Sequence, residues 1–404
     1  MLIHGKILLG NTIVTAGMKI EDGKILEISK QISGKKLKGI IMPAGIDVHV
    51  HLRDFDESHK DTIKNGTLSA LNGGICLVVD QPNSKPFIDS EEMYEKRMRL
   101  AGKFLNVDYS LNVGLTKKNF TKINSIVERI KSKGYNPAVG EIFLQHENKD
   151  VEATIEMVEK VTSFSTVHAE IPEFVESNEI PNFLHRKREA EILAVKKLAS
   201  EGRYFCHIST KEAFETIREK GAYAEVTPHH LLLDASHHSR LGDFVNVNPP
   251  LRTENDRKFL LDNFSKIDVV ASDHAPHSPE EKENGASGYP GVETLYPLLM
   301  GLVFYGKLNI FDVAKAISEN PADIFGFEGY GAVKPGNYAN LAVFDISKVE
   351  RINPQKLHYF HKWSPFESFP AVFPHTVILR GELAKDRGEL AEGFGKIYKT
   401  DAVL

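Results

Sequence analysis

Residues 42–54 read MPAGIDVHVHLRD and carry the clearest pattern in the sequence. Within this apolar run, His49 and His51 stand two residues apart, and Arg53 follows two residues later. Side chains two apart on a β-strand point to the same face. If the run is a strand, two imidazoles and a guanidinium therefore share one face. A pocket on that face would bind a cation and an anion side by side.

The composition is that of a soluble globular protein: 404 residues, 41% of them hydrophobic and 26% charged. The net charge of −5 has its signs interspersed, which predicts neither a nucleic-acid nor a membrane surface. No apolar run approaches the roughly 18–20 residues of a membrane span, and we find no signal-peptide pattern. Both cysteines, Cys76 and Cys206, lie in apolar runs. We therefore expect no disulfide framework and a cytoplasmic location.

The region from about residue 41 to residue 330 alternates apolar runs with amphipathic stretches. The amphipathic stretches include 89–105, 117–134 and 209–221, which predict helices. Eight buried-type strands alternating with helices are typical of an α/β fold, a closed parallel (β/α)8 barrel of the TIM type. The eight apolar runs are GIIMPAGIDVHVHL, GICLVVDQPN, NVDYSLNVGL, AVGEIFL, STVHAE, RYFCHIS, AYAEVTPHHL and IDVVASDHAP.

The two ends of the chain have a different pattern. Residues 1–40 read as short alternating strands with Gly and Asp-Gly turns, and a similar pattern resumes at 331–404. We expect these two segments to pair into one small composite β-domain beside a barrel of residues 41–330.

Polar residues stand where the predicted barrel strands end. In a barrel of this kind the catalytic groups come from the C-terminal ends of the strands. Imidazole and carboxylate ligands suit zinc, and two such ions about 3.5–4 Å apart can share a carboxylate and a hydroxide. We expect metal-assisted hydrolysis of an anionic substrate. The residues at the strand ends are His49, His51, Arg53, Asn83, Glu141, His168, His207, Asp273, His274 and His277.

Several motifs of this sequence resemble those of the dihydroorotases of the amidohydrolase superfamily, over essentially the whole chain. DVHVHLR alone indicates only the superfamily. The combination of Arg53 and Asn83 with SDHAPH is more specific, because allantoinases and hydantoinases usually differ at those places. The matching motifs are DVHVHLR, DQPNSKP, VHAE, CHIS, VTPHHL, NPPLR, SDHAPH, SGYPGVETLYPLL and SPF.

The resemblance implies an activity and roles for individual residues. Dihydroorotases interconvert N-carbamoyl-L-aspartate and dihydroorotate in de novo pyrimidine biosynthesis. They use two divalent metal ions, here expected to be zinc, with a bridging hydroxide. Whether copies of the chain associate with each other or with aspartate carbamoyltransferase is left open. By position, the resemblance makes His49 and His51 ligands of the first metal and His168 and His207 ligands of the second, with Asp273 both a ligand and the proton-transfer group. The resemblance also implies that Arg53 and Asn83 bind the substrate carboxylate and that Asn248 and His277 make further substrate contacts.

One position departs from the commonest superfamily pattern. Many relatives bridge the two metals with a carboxylated lysine at the end of the fourth strand, whereas this chain has Glu141 there. A glutamate supplies the same charge and two oxygens on a shorter arm. We predict that Glu141 bridges the metals, with Glu147 and Asp150 as the alternatives.

Other features are assigned lesser roles. We expect His229 and His230 to be mainly structural, Cys206 to be a packed thiol and segment 277–292 to be mobile at the barrel mouth. His237 and His238 are expected to be solvated loop residues. The competing functions are another cyclic-amide hydrolase, such as an allantoinase or hydantoinase, and a non-catalytic scaffold protein. A scaffold has no reason to keep a complete set of metal ligands.

Overall fold

The computed structural model describes residues 1–400, which form a mixed α/β structure. Its strands are β1 Leu2–Leu9, β2 Thr12–Glu21, β3 Lys24–Ser29, β4 Lys35–Pro43, β5 Gly45–Val50, β6 Ile75–Asp80, β7 Asp108–Leu111, β8 Val139–Phe143, β9 Ser165–His168, β10 Tyr204–Phe205, β11 Tyr223–Val226, β12 Val269–Val270, β13 Leu341–Phe344, β14 Glu350–Arg351, β15 Pro370–Ala371, β16 Thr376–Leu379, β17 Glu382–Asp386 and β18 Glu389–Leu390. Its α-helices are α1 Ile63–Gly73, α2 Glu91–Ala101, α3 Ile123–Lys131, α4 Ile155–Glu159, α5 Arg188–Leu198, α6 Lys211–Lys220, α7 Pro228–Leu232, α8 His238–Leu241, α9 Glu254–Asp262, α10 Pro279–Glu283, α11 Leu295–Phe304, α12 Ile310–Ala314 and α13 Asn320–Phe325.

Strands β5 to β12 form the closed parallel barrel that the sequence predicts. They lie in a three-stranded sheet, β5-β6-β7, and a five-stranded sheet, β8 to β12. Parallel bridges join the two sheets at both junctions, between Val113 and Val139 and between Val50 and His274. The backbone N–H of His51 also donates to the carbonyl of His274 at 2.8 Å. The ring is therefore complete, and the ends of all eight strands meet at one mouth.

Burial explains why these runs form strands and helices. Every residue of β6 is buried, because a barrel strand is covered by helices outside and by side chains inside. On α3 the buried residues are Ile123, Ile126, Val127 and Ile130. Their spacing of three and four residues gives one apolar stripe, which packs against the barrel. Among the described residues, no helix is both long and apolar enough to cross a membrane.

The two ends of the chain share one eight-stranded sheet, in the order β18-β17-β16-β13-β4-β1-β2-β3. Strand β4 pairs in parallel with β1 and antiparallel with β13. The apolar run 39–52 therefore divides at Ala44, with β4 in this sheet and β5 in the barrel. The predicted domain limits at 40 and 331 stay a prediction, and residues 401–404 of the second segment lie outside the described residues.

A segment near the C-terminus also contacts the barrel. The N–H of Tyr109 donates to the carbonyl of Lys396 at 2.9 Å, and the N–H of Tyr398 donates to the carbonyl of Tyr109 at 2.8 Å. Arg380, in the turn between β16 and β17 of the eight-stranded sheet (the end sheet), forms an ion pair with the buried carboxylate of Asp108. These contacts lie at the start of β7, away from the mouth, and they connect the end sheet to the barrel.

Candidate metal centre and active site

The structure brings all six predicted metal ligands together at the barrel mouth. Each one lies on a barrel strand or directly after one, and each is buried. The exposed fractions are 0% for His49, 7% for His51, 2% for Glu141, 3% for His168, 1% for His207 and 5% for Asp273.

Glu141 lies at the middle of this cluster, with its two carboxylate oxygens facing different histidines. Oε1 lies 3.0 Å from Nδ1 of His168 and 2.7 Å from Nε2 of His207. Oε2 lies 3.3 Å from Nε2 of His49 and 3.9 Å from Nε2 of His51. This division of the two oxygens is the arrangement that a carboxylate bridging two cations requires.

Asp273 lies on the side of the cluster that contains His49 and His51. Its Oδ1 atom is 3.1 Å from Nε2 of His51 and 3.6 Å from Nε2 of His49. Potential ligand atoms of His49, His51 and Asp273 lie within 4.8 Å of one another, as do those of His49, Glu141 and His207. Neutral imidazole and carboxylate are ligands that a divalent ion such as zinc accepts.

The charges of the cluster also fit a divalent metal. Burial disfavours the charged forms of His49 and Glu141, but their mutual attraction outweighs it. Glu225 and Glu141 raise the pKa of His49 well above its usual range, and His49, His168 and His207 hold the pKa of Glu141 well below its usual range. The carboxylates thus require positive charge beside them, which divalent cations would supply.

Two glutamates that the sequence analysis did not single out form hydrogen bonds with two of the histidines predicted to be metal ligands. Nδ1–H of His49 donates to Glu225 Oε1 at 2.9 Å, and Nε2–H of His168 donates to Glu170 Oε2 at 2.8 Å. Although burial opposes it, hydrogen bonds to Glu141 and Glu170 raise the pKa of His168 to about 9. Each outer hydrogen bond leaves the other ring nitrogen facing the centre of the cluster. In the sequence, Glu225 is marked only by its place inside the apolar run AYAEV, and Glu170 only by its place in the motif VHAE.

The predicted substrate-binding residues line a cavity of about 320 Å³ beside the cluster. Arg53 Nη2 lies 3.2 Å from Nε2 of His277, and Arg53 Nε donates to the carbonyl of Pro276 at 3.3 Å. Asn83 Oδ1 accepts from Nδ1–H of His51 at 2.6 Å, which leaves Nε2 of that histidine for a metal. Asn248 also lines the cavity. The guanidinium thus lies at one wall of a cavity that also reaches the histidine cluster.

Burial, with the positive charge of Arg53 nearby, lowers the pKa of His277 to about 3, although the Glu281 carboxylate, 3.5 Å from Nδ1, opposes this shift. The ring is therefore neutral near pH 7. The neutral imidazole therefore does not repel the guanidinium of Arg53, which lies beside it.

Three of the other residues considered from the sequence lie away from the cluster. Glu147 is exposed and only lines the mouth, and Asp150 is exposed and pairs with Lys118 at 3.1 Å. His274 points elsewhere, because its Nε2 lies 3.1 Å from Asp61 Oδ2 and its Nδ1 accepts from the N–H of Gly291. Glu141 is therefore the only one of the three proposed bridging carboxylates that lies among the histidines.

Two of the other histidines named in the sequence analysis, His230 and His237, have local hydrogen-bond partners, whereas Nε2 of the buried His229 has none among the described residues. His230 bonds to Thr227 at 2.9 Å and to the carbonyl of Pro249 at 3.1 Å, as a structural residue would. His237 and His238 are half-buried rather than fully solvated. The ring of His237 lies 3.2 Å from the Asp234 carboxylate. Cys206 is a buried free thiol.

Comparison with known proteins gives a consistent result. A model of the amidohydrolase family matches residues 40–384. The chain is 51% identical to the dihydroorotase of Archaeoglobus fulgidus, over 94% of this chain and 96% of that protein. It is 35% identical to the dihydroorotase of Thermococcus kodakarensis, over 97% and 96% of the two chains. Among solved structures, L-hydantoinase (dihydropyrimidinase) from Arthrobacter aurescens superimposes with a TM-score of 0.91 at 21% identity, covering 98% and 99% of the two chains. That identity is low enough for the superposition to establish the fold alone.

Proposed function

Since the chain belongs to the amidohydrolase family, we infer that it is a dihydroorotase, an enzyme that interconverts N-carbamoyl-L-aspartate and dihydroorotate. The similarity to the Archaeoglobus fulgidus dihydroorotase, 51% identity over 94% of this chain, carries this inference. The guanidinium of Arg53 beside the histidine cluster is the structural feature that supports it. Both dihydroorotate and N-carbamoyl-L-aspartate carry a carboxylate that a planar guanidinium can bind through two parallel hydrogen bonds.

The proposed site holds two divalent ions, with zinc as the proposed metal. His49, His51 and Asp273 would hold one, His168 and His207 the other, and Glu141 would lie between them. When bound, such ions polarise an amide carbonyl and lower the pKa of water.

The chain's own residues bind the substrate and move the proton. Arg53 and Asn83 bind the substrate carboxylate, while Asn248 and His277 contact the ring. In the hydrolytic direction Asp273 accepts a proton from the attacking water at its carboxylate and donates it to the leaving nitrogen. In the biosynthetic direction Asp273 removes a proton from the carbamoyl nitrogen.

The proposed role in the cell follows from this reaction. We place the enzyme in the cytoplasm, in pyrimidine biosynthesis, acting on a small molecule with neither nucleic acid nor membrane as a partner. Aspartate carbamoyltransferase makes N-carbamoyl-L-aspartate and is therefore the partner enzyme to test. Size-exclusion chromatography of the protein, alone and mixed with that enzyme, measures both self-association and this contact.

The decisive experiment is a substrate panel of dihydroorotate, allantoin and hydantoin. Purified protein should hydrolyse dihydroorotate and show at most weak activity on the other two. Chelation should abolish the activity, and added zinc should restore it. Preferential hydrolysis of hydantoin or allantoin would identify the competing cyclic-amide hydrolase. Absence of activity on all three in metal-loaded protein would favour the scaffold protein.

A further inference from the structure

Lys282, on α10, is a lysine buried at the wall of the active-site cavity, with an exposed fraction of 0%. Its Nζ atom donates to the carbonyls of Asn246 at 2.6 Å, Ala286 at 2.7 Å and Gly288 at 3.1 Å. An ammonium group has three hydrogens, so each can be donated to one of these carbonyls.

Aromatic rings complete the surroundings of this nitrogen. It lies 5.2 Å from the ring centre of Tyr289 and 5.8 Å from that of Trp363, within the range of cation–π attraction. Burial lowers the pKa of Lys282 well below its usual range, because burying an ammonium group is costly unless its hydrogen bonds are satisfied. Three carbonyl acceptors favour the ammonium form, since a neutral amine has only two hydrogens to donate. An apolar residue would fill this space at a lower cost. The carbonyl contacts therefore indicate a specific use for the ammonium group.

The three carbonyls belong to two different loops of the cavity wall. Asn246 stands two residues before Asn248, which lines the cavity, and residues 286–288 line the same cavity. The N–H of Gly288 also donates to the carbonyl of Asn246 at 3.1 Å. Lys282 thus binds the first loop to the second at the point where they meet.

We propose that Lys282 is a positioning residue for substrate binding, which holds the Asn248 loop and residues 286–288 together as one wall of the cavity. This inference rests on the proposed function, because the wall faces the site where dihydroorotate would bind. The predicted metal ligands, including Asp273, lie on the barrel strands or directly after them, not in these two loops. Loss of the ammonium group should therefore weaken substrate binding more than it slows the chemical step.

The substitution Lys282→Met tests this role, because it keeps an unbranched apolar stem and removes all three donors. We expect the KM for dihydroorotate to rise by about five- to tenfold, as for the loss of one hydrogen bond between the Asn248 loop and the substrate. We expect kcat to change by less than about threefold and metal content to stay unchanged. The matched control is Lys258→Met, which removes an exposed lysine from α9 and should leave KM and kcat unchanged.

A second measurement needs no substrate. In Lys282→Met, amide hydrogen exchange should accelerate in peptides covering 244–249 and 284–290 and stay unchanged in the barrel strands. If Lys282→Met does not fold, Lys282→Gln, which keeps a shorter neutral donor, is assessed by the same two measurements.

Unchanged exchange in both loops, or an unchanged KM, would overturn the positioning role. Loss of metal together with a fall in kcat would also overturn it, since Lys282 would then support the metal centre. Failure of the wild-type protein to turn over dihydroorotate would overturn the proposed function instead. Hydrogen exchange would still decide whether Lys282 holds the two loops together.

Discussion

Asp80 and Arg97 form a buried ion pair directly behind the backbone of Arg53. Nε and Nη2 of Arg97 donate to Asp80 Oδ2 at 3.0 and 2.7 Å. Nη1 of Arg97 donates to the carbonyl of Arg53 at 2.5 Å, and the other Asp80 oxygen accepts from the N–H of Leu52 at 2.9 Å. Arg53 has a φ of 48°, in the left-handed region that non-glycine residues rarely adopt. A helix outside the barrel thus supports the backbone that presents the Arg53 guanidinium.

Replacing Arg97 with methionine should therefore affect both stability and substrate binding. Arg97→Met leaves the Asp80 carboxylate buried without its partner, which should cost about 3–5 kcal/mol of unfolding free energy. Urea denaturation measures this loss, and the KM for dihydroorotate should rise because Arg53 is less well held. The control is Arg99→Met, which replaces an exposed arginine on the same helix and should change neither the unfolding free energy nor the KM. Wild-type stability in Arg97→Met would contradict the role of the ion pair.

Glu141→Ala should lose at least one metal ion per chain and nearly all activity. Two cations would then lie close together without a shared anion. Elemental analysis of the purified variant measures the metal content. Glu147→Ala, which removes an exposed carboxylate at the mouth, should keep the full content. Reconstitution of the wild type should not depend on bicarbonate, because no lysine has to be carboxylated. Two metals per chain in Glu141→Ala would show that another group forms the bridge.

Arg53→Lys should lower kcat/KM for dihydroorotate while metal content stays at the wild-type level. An ammonium cannot reproduce the paired hydrogen bonds of a guanidinium to a carboxylate, and the expected loss is on the order of 2–3 kcal/mol in transition-state binding. Steady-state kinetics with metal analysis measures both effects. Arg99→Lys, on the exposed face of α2, is the matched control. An unaltered kcat/KM would mean that the carboxylate binds elsewhere.

Asp273→Asn keeps the shape of the side chain but removes its ability to accept a proton. We expect the rate of dihydroorotate hydrolysis to fall by about 10²–10⁴-fold. Because Asp273 is also a proposed ligand, the rate is compared at matched metal occupancy. A near-normal rate at full occupancy would exclude the proton-transfer role.

The buried His230 predicts a pH dependence of stability. Burial lowers the pKa of His230 well below its usual 6.5, so the folded protein keeps this ring neutral where the unfolded chain binds a proton. Stability should therefore fall as the pH drops below 6.5, by up to about 1.4 kcal/mol per pH unit for this group. Urea denaturation at a series of pH values should give a shallower dependence for His230→Gln. Identical slopes would mean that His230 becomes protonated in the folded state as readily as in the unfolded chain.

The barrel and most of the site could be predicted because the signals are local. Eight apolar runs ending in polar residues identify the strands, and in a parallel barrel the ends of all strands meet. His274 directly follows Asp273 at the end of the same strand, so the sequence alone does not distinguish it from the residues that face the centre. Asp273 faces the centre, whereas His274 faces Asp61.

Other features depend on contacts between distant parts of the chain. Glu225 is a single glutamate in an apolar run, and only the fold brings its carboxylate to His49. The division at Ala44 is invisible in the sequence, because one apolar run supplies strands to two different sheets. Lys282 stands in the charged segment PEEKE, which resembles a solvated helix, but loops on both sides enclose it.

The position of β13 between β4 and β16 has a consequence for the newly made chain on the ribosome. Strand β4 is synthesised before the barrel, and its partner β13 is synthesised after it. Until then the β4 edge and apolar side chains such as Ile41 lack the cover of Leu341 and Val343. An uncovered edge strand is prone to pair with other chains. We therefore expect nascent chains stalled before residue 341 to bind chaperones or aggregate, and the end sheet to become protected from proteases only after β16 has left the ribosome.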